Sequence, residues 1–293
     1  MIYRRQPVRL VDADSEPFRS PYSSPGLMLD LEFAQLSDRG RVREHNEDYI
    51  GSVVPATPAQ VRSHGWLFAL ADGVGGHEHG EVASRLAVEG VCAGFRSSNG
   101  KESHRALLPR LLQAANTTLL DAAVHTRTSG PAMATTFVAC ALRFDRAVVA
   151  HVGDSRCYLI RRGRATLVTR DHTMAAEQIR LGVLSKRDAG DSPLRHMLSR
   201  SLGSDLFVNV DVDEHQILHG DALLLCSDGM HGAVPESDIV HIVSRARNLN
   251  AAAQELVATA NQRDGSDNVS VQLVRIRSVE RMGMYRGRPY NLQ

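Results

Sequence analysis

Residues 65–80 read GWLFALADGVGGHEHG. An apolar run, 66–71, ends in one acid, Asp72, and the glycines Gly73, Gly75, Gly76 and Gly80 follow at once. The run is too short for a helix of its own and predicts a buried strand. Asp72 then stands at the strand's end, where the core opens. The glycines let the backbone turn sharply and come close to a ligand. A carboxylate there, with a free carbonyl just after it, suits a hard divalent cation. Taken alone, the stretch fits an ordinary strand-to-helix turn carrying an exposed Asp better than a metal site.

Working outward, the same arrangement recurs. HVGDSR (151–156) ends a strand in Gly153 and Asp154. GDALLLCSDG (220–229) ends one in Ser227, Asp228 and Gly229. DGSDNVS (264–270) places Asp267 before a last strand. RVREHNED (41–48) sets Arg43, Glu47 and Asp48 between strands at 31–37 and 49–54. A charge run of that kind is usually a solvated face. Placed between strands, its Arg can instead bind an anion while its acids bind a metal.

Helical spacing marks 81–95 and 103–125, and again 235–247 and 250–263. Strands are expected at 133–144 and 146–152, from Arg156 onward, and at 164–169 and 206–218, and 55–64 reads as a polar loop. The Asp171-His172-Thr173 turn caps a helix, and 174–204 combines a short helix with a mobile polar loop. Strand runs flanked by helix pairs predict an α+β layered fold, not a parallel βαβ one. Residues 1–28 are expected to be a flexible arm, 29–278 the globular domain and 279–293 a loose tail.

The chain has 293 residues, 43% of them hydrophobic, enough for a sizeable core. A net charge of +1 argues against a nucleic-acid partner. No run approaches a membrane span, and the N-terminus has no apolar signal core. Four cysteines without a CxxC pair read as reduced core thiols. The expected compartment is the cytoplasm.

Each acid-glycine turn is a weak signal; several on converging strand ends form a stronger one. Carboxylates a few ångströms apart raise one another's pKa unless cations neutralise them. Oxygen-only ligation selects Mg2+ or Mn2+ over zinc. A pair of such ions about 3.5–4 Å apart can activate water for in-line attack at phosphorus, and Arg43 can hold the phosphate. The chemistry indicated is metal-assisted phosphoester hydrolysis. There is no P-loop.

RVREHNED, ADGVGGH, GDSR, SDG and GSDNVS, in this order and spacing over roughly 31–277, resemble the signature blocks of the metal-dependent Ser/Thr protein phosphatases, the type 2C or PPM family, and its bacterial branch in particular. The resemblance implies a four-layer α-β-β-α sandwich with two central antiparallel sheets and a dinuclear centre between them. It implies that Asp72 bridges two Mn2+ or Mg2+ ions. Asp228 and Asp267 complete one shell; Glu47 (or Asp48) and the Gly73 carbonyl serve the other. Asp154, with Asp228, matches a weaker third site. Arg43 binds phosphate, water attacks without a phosphoenzyme, and 174–204 matches a variable flap. Implied partners are phosphoprotein substrates and a cognate Ser/Thr kinase of a bacterial signalling pathway, with a monomeric enzyme.

The sequence departs from the animal enzymes at Val74, where they carry a histidine proposed as general acid. His77 and His172 read as structural turn residues, and Ser155 and Ser227 lack a base that would make either a nucleophile. Two other readings stay open: a catalytically silent phosphoprotein-binding module, which should have lost metal acids, and a small-molecule phosphomonoesterase on the same site.

Overall fold

Residues 66–72 alternate with period two. Leu67, Ala69 and Ala71 face one apolar cluster, while Trp66, Phe68 and Leu70 face another. Such a strand is covered on both sides. In the computed structural model, which describes residues 18–19, 29–74, 79–125, 133–189, 192–279, 282–285 and 288–291, the chain runs as follows. β1 (Phe18–Arg19), β2 (Leu29–Asp38), β3 (Asp48–Val53), α1 (Pro58–Ser63) and β4 (Trp66–Asp72) come first. Then come α2 (Gly80–Ser97), α3 (His104–His125), β5 (Phe137–Arg143), β6 (Arg146–Val152), β7 (Arg156–Arg161) and β8 (Arg164–Leu167). α4 (Met174–Arg180), α5 (Lys186–Ala189) and a 3-10 turn (Pro193–His196) follow. The rest is β9 (Asp211–Gln216), β10 (Ala222–Cys226), α6 (Asp228–His231), α7 (Glu236–Arg245), α8 (Leu249–Arg263), β11 (Val269–Val279), β12 (Met282–Tyr285) and β13 (Arg288–Asn291).

One antiparallel sheet has the order β1-β2-β11-β10-β7-β8, the other β3-β4-β5-β6-β9. Residues of α2 and α3 (Val91, Phe95, Leu108, Leu112) pack on Leu67, Ala69 and Ala139 of the second sheet. Residues of α7 and α8 (Ile239, Ile242, Leu256) pack on Leu224, Val271 and Leu273 of the first. Between the sheets, Leu31 and Phe33 meet Phe68, Val138 and Leu225. These three cores are the boundaries of a four-layer α-β-β-α sandwich. No described helix is long and apolar enough to cross a membrane. All four cysteines are free and buried.

The inter-sheet layer grows polar toward one end. Along β2 the inward residues run Leu29, Leu31, Phe33, then Gln35 and Ser37. Gln272 Nε2 donates to Gln35 Oε1 and to the Gly51 carbonyl of the other sheet, each at 3.0 Å. Ser37 and Ser270 pair at 2.8 Å. These polar groups lead from the apolar middle to the acid-bearing end, with Gln272 Oε1 alone among the atoms of this set left without a partner.

Several local expectations change. The polar loop at 55–64 contains α1, started by Thr57, whose side chain accepts from the Gln60 N–H, with Pro58 in its first turn. The strand expected over 133–144 is ordered as β5 only from Phe137, because Thr135 bridges to both Gly73 and Leu202. The strand expected at 206–218 shrinks to β9, because Gln113 and Asn116 of α3 hold the Asp205 and Leu206 carbonyls. Within the expected arm, Phe18 and Arg19 pair with β2. Within the expected loose tail, β12 and β13 form a hairpin.

Candidate metal centre

The period of β4 decides where Asp72 goes. Even-numbered residues face the inter-sheet layer, so Asp72 inherits that side. In β3, Ile50 faces inward, and so Asp48 does as well. The β3–β4 register puts Asp48 directly opposite Asp72. From the other sheet, β10 turns Leu223 and Leu225 inward, which carries Ser227 in after them. The Ser227 hydroxyl donates to Asp48 Oδ2 at 2.7 Å and accepts from the Ser270 N–H at 2.9 Å. Asp228 then opens α6, and its carboxyl comes within hydrogen-bonding reach of Asp72.

The backbone around Asp72 is held on every side. Its N–H donates to Thr136 Oγ1 at 3.1 Å. Its carbonyl accepts from the Thr136 N–H and the Thr135 hydroxyl, each at 2.8 Å. The Gly73 N–H donates to the Glu47 carbonyl at 3.1 Å. A Cβ on Gly73 would lie 2.3 Å from the Gly80 carbonyl oxygen, so only glycine fits where β4 meets the start of α2. Glu47 comes to this junction too: a Cβ on Gly80 would touch its carboxylate.

Asp267 and Arg43 stand at the mouth. Arg43 donates to Asp267 Oδ2 at 2.8 Å and approaches Glu47 to 4.0 Å. Asn268 pins the loop that carries them: its Oδ1 accepts from the Glu47 N–H, and its Nδ2 donates to the Arg39 and His45 carbonyls. Asp154 completes the set from the end of β6. His231 Nε2 donates to the Asp154 carbonyl at 3.0 Å, and burial pushes His231 down to about 3, so the imidazole is neutral.

Burial dominates the electrostatics. It pushes Asp48 up to about 7 against hydrogen bonds from Ser270 and Ser227, and Asp228 adds repulsion. Asp154 is pushed up to about 8 by burial and then by the charges of Asp228 and Asp171. Asp72 rises well above the carboxylate range through burial, then Asp48, Asp228 and Asp154. Asp228 rises through burial and Asp267. Glu47 rises through burial, opposed by Arg43. These carboxyls cannot all ionise together unless a positive charge joins them. Asp48 Oδ1 is buried without a hydrogen-bond partner. The donor set is all oxygen, which fits hard divalent cations.

All the acids expected from the sequence, together with Arg43 and Gly73, therefore lie at one end of the inter-sheet layer. His77 lies outside the described residues. Ser155 is paired with Thr136 at 2.7 Å, and Ser227 is engaged by Asp48 and Ser270, so neither is presented as a nucleophile. Sequence reasoning missed Thr135, Thr136, Asn268 and His231. The threonine pair inside an apolar strand pattern and the Asn directly after Asp267 were the available signals.

A family model, Protein phosphatase 2C, matches residues 40–273. The chain belongs to the protein phosphatase 2C family. The serine/threonine phosphatase stp of Listeria innocua is 36% identical over 256 residues, which span 86% of this chain and 96% of that one. The serine/threonine phosphatase PstP/Ppp of Mycobacterium tuberculosis superposes with a TM-score of 0.73 at 31% identity, covering 84% of this chain and 99% of that one. The catalytic domain of PstP in complex with two manganese ions gives a TM-score of 0.71 at 30% identity, covering 85% and 99%. The 2C phosphatases use divalent metals, and this member is a serine/threonine protein phosphatase. Its sandwich matches those of its solved relatives.

Proposed function

We propose that this phosphatase hydrolyses phosphoserine and phosphothreonine in proteins with water activated at two Mn2+ or Mg2+ ions, opposing a Ser/Thr kinase in bacterial signalling. The observation that carries the reading is the convergence of Asp48 and Asp154, both buried, with Asp72 and Asp228, both half-buried, each with its pKa raised. When bound, divalent cations supply positive charge for the phosphoryl oxygens and lower the pKa of water.

The chain's own residues have distinct tasks. Asp72 would serve both cations, with Asp228 and Asp267 serving one and Glu47 and the Gly73 carbonyl the other. The two acids left open by the sequence both remain open to the latter cation: Ser227 takes Asp48 Oδ2 but leaves Oδ1 without a partner, and Glu47 lies at the Gly73–Gly80 junction. Asp154, with Asp228, would hold a weaker third cation. Arg43, half-exposed at the mouth, orients the phosphate by its fork of N–H donors. With Val74 at the position of the animal histidine, the leaving oxygen takes its proton from water. Four buried free thiols support a reducing compartment, the cytoplasm.

The test is hydrolysis of a phosphothreonine peptide with Mn2+ and with EDTA, for wild type and Asp72→Asn. Turnover is expected only for wild type with Mn2+, with both proteins folded by circular dichroism. Full activity in EDTA would overturn the metal reading, and wild-type turnover by Asp72→Asn the shared-ligand one. A higher kcat/KM for a small aryl phosphate than for the peptide would favour the small-molecule phosphomonoesterase.

A further inference from the structure

We propose that His172 is a positioning residue that joins the Asp154 turn to the flap, so that flap order and the placement of the Asp154 carboxylate are set together. His172 Nδ1 accepts from the Gly153 N–H at 3.1 Å, and the His172 N–H donates to the Gly153 carbonyl at 3.0 Å. Gly153 has φ +101°, and a Cβ there would lie 2.6 Å from the Thr136 Cβ. The turn is thus fixed by Thr136 on one side and by His172 on the other. With Nδ1 accepting, Nε2 carries the proton and faces Asp211 Oδ2 at 3.3 Å. Asp211 is held in turn by Arg200 at 3.1 Å, and Arg200 lies 3.7 Å from Glu177 of α4. The His172 carbonyl accepts from the Ser199 N–H at 2.9 Å, and Thr173 bridges to Leu198. One buried residue therefore touches the backbone beside Asp154 and the edge strand β9 with its ring, and the far end of the flap at Ser199 with its carbonyl.

The same residues, with His151, bring ligand atoms within 4.8 Å of one another. Their geometry does not suit a separate metal site. The His151 and His172 rings stack at 4.8 Å and 16°, so their in-plane lone pairs run side by side and do not converge. His151 Nε2 is already spent on the Arg170 backbone, and the Arg200 guanidinium supplies the cation at Asp211. The cluster is a mechanical link with a full set of partners.

The link itself is read in the metal-free, full-length protein; only its metal-facing half rests on the assignment of Asp154 given above. Amide hydrogen exchange is measured in wild type, His172→Ala, His172→Asn and Asp211→Asn. An Asn oxygen can replace Nδ1 as acceptor for Gly153 but cannot reach Asp211. His172→Ala should speed exchange about three- to tenfold in both 151–155 and 197–202, the effect of losing one hydrogen bond's net stabilisation. His172→Asn should speed only 197–202. Unchanged exchange at 151–155 in His172→Ala, or identical responses in the Ala and Asn variants, overturns the link. Should His172→Ala not fold, Asp211→Asn decides: coupling requires a rise in 151–155 as well as 197–202, and a rise confined to 197–202 overturns it. Calorimetry with Mn2+ reads the second half. The weakest binding phase should weaken about tenfold in His172→Ala, and an unchanged phase overturns the effect on Asp154. If wild type binds no Mn2+, the metal assignment falls while the exchange data still decide the link.

Discussion

At the scale of single residues, the buried carboxyls make the metal-free protein sensitive to pH in an unusual direction. Asp48 and Asp154 are pushed up to about 7 and about 8, above the ordinary carboxylate range of the unfolded chain. The folded state therefore binds more protons than the unfolded state between about pH 4 and 8. Stability from these groups is fully present below pH 4 and is lost as pH rises through their folded pKa values. In EDTA, the unfolding free energy read from urea titration should fall between pH 5.5 and 8.5, by on the order of a few kcal/mol, and the midpoint with it. With Mn2+ present the slope should flatten, since cations take over the protons' role. A metal-free midpoint that rises over this window would contradict the cluster's electrostatics.

Asp72, Asp154 and Asp228 were legible in the sequence because each follows an apolar strand beside glycine, and Glu47, Asp48 and Asp267 because each stands just before a strand. What holds them was not. Asn268 contacts a segment more than two hundred residues away, and no local pattern encodes that. His172 could be read as a turn residue, but its contact with β9 depends on the strand register of His151 with Asp211.

At the scale of elements, the loop between β2 and β3 has little regular structure, and Asn268 fixes it through three hydrogen bonds. Asn268→Ala should cost about 1–3 kcal/mol, because buried backbone groups lose their partner. It should also weaken Mn2+ binding, since Glu47 loses its anchor; calorimetry and urea unfolding check both effects. The strands and long helices were legible from periodicity. The helix α1 was not, although its Thr-Pro start is a readable signal, because it is short and has only Val61 buried. The shortening of the strands at 133–144 and 206–218 reflects tertiary competition: Thr135 and α3 claim the backbone that the strand pattern would have paired.

At the scale of the whole molecule, layered order was predictable from element sequence, but the polar grading between sheets was not. Gln272 ties the sheets through Gln35 and the Gly51 carbonyl deep inside the sandwich. Gln272→Ala should destabilise by about 1–3 kcal/mol, more than its loss of apolar contact explains, because two buried partners are orphaned. An unchanged urea midpoint would show that the sheets are held by apolar packing alone.

The pairing of β2 with β11 has a further consequence. The first long strand lies beside the last, from Leu29 opposite Val279 to Asp38 opposite Val269. The five-stranded sheet is complete by residue 216, but the other sheet lacks a central strand until the final stretch of the domain is made. During synthesis, Asp48 and Asp72 can meet early, while Ser227, Asp228 and Asp267 must wait for β11 to close beside β2 and β10. A ribosome-bound chain that stops before Val269 carries half a site and an open sheet. A chain cut before Val269 is therefore expected to lack phosphatase activity.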